Sequence, residues 1–137
     1  MAVLDIYNPA ATPERSIVRA RRTTASSPQS TDHRRLPLAG ASCDAVFLIL
    51  AAHELRSRRA RTELFTEVRR TLAPGGRVLV VEHLRDAWNF AAFGPGFLHF
   101  FSRREWLATF AASGLRVESE SRITPMVRAF MLWRDNR

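Results

Sequence analysis

Lysine is absent from this chain of 137 residues; all 21 of its cationic side chains are arginine. In an alanine-rich sequence that points to a coding bias more than to a selected phosphate-binding surface. The arginines are spread along the chain without interleaved aromatic platforms, so the net charge of +8 does not make nucleic acid the expected partner. The single cysteine, Cys43, excludes an internal disulfide and reads as a buried structural thiol. No apolar run reaches the ~20 residues of a membrane-spanning helix. The opening Met1-Ala2-Val3-Leu4-Asp5 lacks the cationic start and long apolar stretch of a secretory signal, which places the chain in the cytoplasm. Glycine is scarce, six in all, and none of the six lies in a G-x-G-x-G pattern. There is no internal repeat.

What is present is one unit of clear pattern. Cys43 to Leu50 is a short apolar run, the pattern of a strand buried on both faces. From Arg56 to Ala73 the period becomes helical, with Ala60, Leu64, Phe65, Val68 and Leu72 on one stripe. Pro74-Gly75-Gly76 stops that helix, and Arg77 to Val81 forms a second buried strand closing on Glu82-His83. Strand, helix and strand make a βαβ unit with a right-handed crossover. The carboxyl ends of both strands then open on one edge of the sheet, where α/β folds bind their ligands.

The flanks fill in one domain, for which an apolar fraction of 46% is sufficient. Val3 to Tyr7 reads as a short strand, Thr12-Pro13-Glu14 as a helix start, and Thr23 to Thr31 as a loop or weak edge strand. Trp88 to Phe101 carries five phenylalanines and a tryptophan around Gly94-Pro95-Gly96, a lid over the sheet edge or the lining of an apolar pocket. Ser102-Arg103-Arg104-Glu105 is a capping box opening a helix that turns Trp106, Leu107, Phe110 and Ala111 inward and ends at Gly114. Leu115 to Ile123 alternates like an edge strand. Met126 to Trp133 lies inside it, and the two form an antiparallel hairpin.

This order of elements, with three short motifs, resembles the class I S-adenosylmethionine-dependent methyltransferases of the type 11 kind. Asp5 matches the acid that ends the family's second strand; Asp32, followed by Leu36-Pro37-Leu38 and Ala41 to Val46, matches a second acidic segment; Leu72-Ala73-Pro74-Gly75-Gly76-Arg77-Val78-Leu79 is similar to the turn before the fifth strand. The resemblance implies a Rossmann-like α/β sheet, mostly parallel with a C-terminal antiparallel hairpin. It implies S-adenosylmethionine as cofactor, its ribose held by Asp5 with Ile6 beside it and its adenine by Asp32 with His33. The family's glycine-rich loop has no counterpart here, and only four residues precede Asp5. Residues 1–137 are therefore expected to be one partial domain, from the second strand to the hairpin, with the first strand and helix missing. A start codon placed too far downstream, a truncated gene, or a rearranged sheet pairing the Val3 strand with the Val46 strand would each account for this.

Methyl transfer from a sulfonium needs alignment and exclusion of water more than it needs catalytic side chains. His53 and Glu54 follow the central strand, where His53 is placed to act as a general base. Glu82-His83 puts a second acid and imidazole on the same edge. Adjacent strand residues point to opposite faces, so each pair supplies one ligand and no metal site is expected. His83, Phe97 and His99 are the candidate substrate contacts, and the phenylalanine-rich segment suits a small apolar acceptor. The function expected of the intact family domain is thus S-adenosylmethionine-dependent methyl transfer to such an acceptor, and the absent glycine-rich loop leaves open whether this chain alone performs it. A non-catalytic remnant that self-associates through exposed sheet edges, and a basic nucleic-acid-binding module, are the alternatives.

Overall fold

The computed structural model describes residues 1–6 and 29–134. The helix start read at Thr12 to Glu14 lies outside them, as does Tyr7. Two short strands, β1 (Leu4–Asp5) and β2 (Gln29–Ser30), pair in parallel. The central unit follows: β3 (Cys43–Ile49), a 3-10 turn (Ala52–Glu54), helix α1 (Arg58–Thr71) and β4 (Leu72–His83). Then come α2 (Ala87–Phe93), a second 3-10 turn (Gly94–His99), α3 (Arg103–Ala112), β5 (Leu115–Thr124) and β6 (Val127–Arg134). The larger sheet has the order β3-β4-β6-β5, with β3 parallel to β4 and the other two pairs antiparallel. The hairpin is as expected, β6 inside and β5 at the edge. The rearranged sheet is not what forms, because β1 takes β2 as its partner and not β3.

The Ser57 hydroxyl accepts the amide of Ala60 at 3.0 Å, so α1 begins one turn-cap later than the periodicity suggests. It ends at Thr71, and Leu72 is already extended. Pro74-Gly75-Gly76 does not separate helix from strand; it lies inside β4 as a bulge between the pairs Cys43↔Leu72 and Ala45↔Arg77. Gly75 has φ +81 there, a conformation that costs glycine nothing. At Gly76 a Cβ would lie 2.9 Å from the carbonyl oxygen of Cys43 and 3.0 Å from that of Ala73, so the close approach needs a bare backbone.

One face of the sheet carries the core. Leu64, Phe65 and Val68 of α1 meet Val78 and Val80 of β4, Phe130 and Leu132 of β6, and Trp106 and Phe110 of α3. Phe65 stands edge-on to Phe110 at 5.1 Å, and Trp106 stacks on Phe110 at 5.9 Å. Full burial of an aliphatic or aromatic side chain is worth about 1.5–3 kcal/mol, so these residues fix which way the helices face. Ala111, read as inward, is exposed.

The opposite face of β3 is not covered by described residues. Phe47 is 66% and Ile49 58% exposed, whereas Leu48 between them is buried in the core. Among the described residues, the strand expected to be buried on both faces is an edge strand with one exposed side. Cys43 at its start is half-buried with a free thiol, and not enclosed.

Ser102 does cap α3, accepting the amide of Glu105 at 3.2 Å. The other half of the capping box is replaced, since the Glu105 carboxylate turns to Arg58 and Arg61. Gly114 ends the helix with φ +72.

Candidate functional site

The carboxyl ends of β3 and β4 create the site. At the end of β3 the chain turns sharply: Leu50 has φ +51, a left-handed conformation that strains a leucine and is commonest at functional positions. Its amide still reaches Val81 of β4 at 2.8 Å. The turn that follows places His53 and Glu54 on a tight 3-10 helix. The side-chain alternation of a strand no longer applies, and both residues point the same way. Nε2 of His53 lies 3.0 Å from Oε1 of Glu54. The sequence-based premise that adjacent residues diverge here is corrected by that geometry.

Glu82 is fully buried. It shares the core-facing side of β4 with Val78 and Val80, and a carboxylate in that position must be met by donors. It is: the amides of Ala52 and His53 donate to Oε1 at 3.0 and 3.3 Å, and Nδ1 of His53 donates to Oε2 at 2.7 Å. Burial pushes the His53 imidazole toward its neutral form, but the Glu82 hydrogen bond and the charges of Glu82 and Glu54 outweigh it, and its pKa is raised. With Nδ1 committed to Glu82, Nε2 is the nitrogen left to act. Glu82 was read only as a second acid; its phase with two buried valines was the signal for its true position.

His99 comes from the segment between α2 and α3. Its Nε2 lies 3.7 Å from Oε1 of Glu54, and its ring is edge-on to His53 at 5.5 Å. Arg56 donates to the carbonyl oxygens of both His53 and His99, tying the turn to the lid. Arg85 does the same further along, donating to the carbonyls of Phe100 and Leu98 at 2.8 and 2.9 Å.

Phe100 sits at the centre of the aromatic group. His83 stacks on it at 4.8 Å, with His53 at 6.0 Å and Phe93 at 5.4 Å. His83 itself is held by structure: its Nδ1 meets the carbonyl of Met126 at 3.0 Å and the amide oxygen of Asn89 at 3.1 Å. Phe97 packs edge-on against Phe90 at 5.1 Å. The segment from Trp88 to Phe101 is both things the sequence allowed, with Phe100 and Phe101 in the interior and Trp88, Phe90, Phe93 and Leu98 exposed.

The second group of candidates stands at the carboxyl end of the β1–β2 pair. The carbonyl of Asp5 accepts the amide of Thr31 at 2.9 Å, and Ile6 packs against the core. Asp32 follows just beyond β2, so both aspartates lie on the same edge of that small sheet. The carboxylate of Asp32 is engaged by Arg34, whose Nε lies 3.0 Å from each oxygen and whose Nη2 lies 2.7 Å from Oδ2. That guanidinium holds the Asp32 carboxyl well below the usual carboxylate range. His33 spans from Asp32 to Glu63 of α1, with its ring nitrogens 3.6 and 3.4 Å away. Both acids thus stand on one edge of the small sheet, the second of them held by the exposed Arg34 side chain.

A βαβ unit with a site on the carboxyl edge of its strands, closed by an antiparallel hairpin, defines a Rossmann-like α/β protein of the methyltransferase type. A family profile described as a methyltransferase domain matches residues 10–80; the chain belongs to that family. Among solved structures, PH0226 protein from Pyrococcus horikoshii OT3 is similar with a TM-score of 0.69 and 15% identity, covering 98% of this chain and 72% of that one. A SAM-dependent methyltransferase from Aquifex aeolicus gives 0.68 and 15%, covering 94% of this chain and 65% of that one. The N,N-8-amino-8-demethyl-D-riboflavin dimethyltransferase from Streptomyces davawensis gives 0.67 and 14%, covering 98% and 42%. The chain thus spans about two thirds or less of the length of several of these structures. Comparison with curated proteins finds no match.

Proposed function

We propose that this domain takes part in S-adenosylmethionine-dependent methyl transfer to a small apolar acceptor. The observation that carries the reading is the buried Glu82 carboxylate fixing Nδ1 of His53 at 2.7 Å on the carboxyl edge of the sheet. S-adenosylmethionine, when bound, supplies a methyl group already activated on its sulfonium. Asp5 would meet the ribose hydroxyls, with Ile6 against the nucleoside, and Asp32 with His33 the adenine. Nε2 of His53 would take the acceptor's proton, the role of a general base beside the bound donor. Glu82 stabilises the resulting imidazolium, and Glu54 adds a second negative charge beside it.

Phe93 presents an exposed ring beside His83 and the buried Phe100, which in turn stands next to His53. Stacking and edge contacts of this kind suit an aromatic or lipid-like acceptor better than a charged one. Several arginines are already matched to carboxylates, as in the pairs Arg59–Glu63, Arg70–Glu67, Arg77–Glu118 and Arg103–Glu120. That favours a small molecule over a polyanion.

The test is calorimetric titration of S-adenosylmethionine into the chain and its Asp5→Ala variant, followed by transfer of labelled methyl to a panel of small aromatic hydroxyl compounds. Saturable binding lost in the variant, with transfer lost in His53→Gln, is the expected result. Absence of binding by a folded wild-type chain would overturn the reading.

A further inference from the structure

We propose that His53, Glu54 and His99 form a binding site for one divalent cation of the kind that favours imidazole, zinc above all. Nε2 of His53, a carboxylate oxygen of Glu54 and Nε2 of His99 all lie within 4.8 Å of one another. These are two nitrogen donors and one oxygen donor, the set used for catalytic zinc, where three protein ligands leave a position open. Calcium and magnesium prefer oxygen donors and would gain little from two imidazoles.

Three features of the surroundings point to a ligand there. First, His53 donates Nδ1 to the buried Glu82, the outer partner that typically fixes the tautomer of a metal-binding histidine and raises its donor strength. Second, Nε2 of His53 and a Glu54 oxygen already converge to 3.0 Å, and Nε2 of His99 stands 3.7 Å from the same oxygen, so three donor atoms face one point. Third, the ligands come from separate segments that one group holds together: Arg56 donates to the backbone carbonyls of both His53 and His99. The ligand geometry is therefore supported by hydrogen bonds from two sides, and half of the His99 side chain remains open to solvent for entry.

Coordination uses the same nitrogen that would take a proton, so a loaded site excludes the base role of His53. That consequence rests on the methyl-transfer reading above; the binding itself does not.

The experiment uses the whole chain without a histidine tag, stripped with a chelator, and titrated with zinc chloride by calorimetry. Cobalt(II) absorption in the visible serves as a spectroscopic check on coordination. One equivalent is expected. Affinity should fall at least tenfold in His99→Ala, whose exposed side chain can be removed without disturbing the core, and about 10–100-fold in Glu82→Gln through loss of the outer partner. His33→Ala should bind like wild type. Failure of the wild type to bind, or equal binding by wild type and His99→Ala, would overturn the proposal. S-adenosylmethionine titration of the same samples is read separately, so failure of one idea is not failure of the other.

Discussion

Arg61 of α1 and Glu105 of α3 form an ion pair at 2.7 Å, with the guanidinium lying over the ring of Phe101 at 3.6 Å. Arg61 is buried, and its other nitrogen donates to the carbonyls of Leu55 and Arg56 at 2.8 and 3.0 Å. The pair therefore joins both helices to the residues just after the turn that carries His53. Glu105→Gln should destabilise the chain by about 1.5–3 kcal/mol, the range for a hydrogen bond to a charged group. Thermal unfolding of the two forms measures it.

The same pair sets a pH dependence. The Arg58 hydrogen bond lowers the pKa of Glu105 below its ordinary 4.5 against the opposing effect of burial, with the charges of Arg58 and Arg61 adding to it. A carboxyl whose folded value is depressed contributes stability above the unfolded value and loses it as pH falls through the folded one. Wild type should therefore lose stability below about pH 4.5 more steeply than Glu105→Gln. Denaturation at a series of acid pH values would show parallel curves if the pair were irrelevant.

Gly76 and Gly75 should respond differently to substitution. Alanine at Gly76 forces backbone atoms of Cys43 and Ala73 to move, an overpacking cost of about 1–3 kcal/mol. It should also speed exchange of the Ser42 amide, which bonds to Thr71 at 2.8 Å nearby. Asparagine at Gly75 meets open space and only a left-handed φ, which asparagine tolerates. Chemical denaturation should rank Gly76→Ala well below Gly75→Asn.

Arg34→Ala should strengthen cofactor binding. Its guanidinium occupies both oxygens of Asp32, the pair is exposed, and exposed pairs contribute little to stability. Melting temperature should barely change while affinity for S-adenosylmethionine rises, and Asp32→Asn should lower that affinity. Weaker binding in Arg34→Ala would remove Asp32 from the adenine site.

The side of β3 left uncovered by the described residues predicts self-association. Phe47 and Ile49 present an apolar edge of the kind that pairs with another chain. Sedimentation should give a mass above the 15.6 kDa of one chain that depends on concentration, and Ile49→Lys should return it to monomer. A wild type that stays monomeric at high concentration would exclude this edge as an interface.

The elements were largely legible because their patterns differ: α1 shows a helical stripe, β5 alternates, β6 is more continuously apolar, and Ser102 and Gly114 mark both ends of α3. The exposure of β3 was not legible, since Val46 to Ile49 reads the same whether or not a layer covers it. His53 and Glu54 were found from their position after a strand, but their convergence depends on the left-handed Leu50, for which a leucine gives no signal. The ion pairs of Glu105 were hidden by a motif that also fits a cap. His99 was a weaker candidate on sequence because its partner, Glu54, lies 45 residues earlier and the Arg56 clamp that brings the two segments together has no sequence signal.

The bulge in β4 has a consequence for which side chains do chemistry. Between paired positions, β3 advances two residues and β4 advances five, so three residues are looped out and the count is odd. An odd insertion inverts the parity of everything downstream. Removing a single glycine there, with β4 slipping by one residue against β3 and β6 to close the gap, would rotate Glu82 outward and bring His83 in, exchanging an acid for a base beneath His53. The proline and glycines thus act as a phase setter: they contribute no functional group, yet they decide which of two neighbouring residues becomes the buried one.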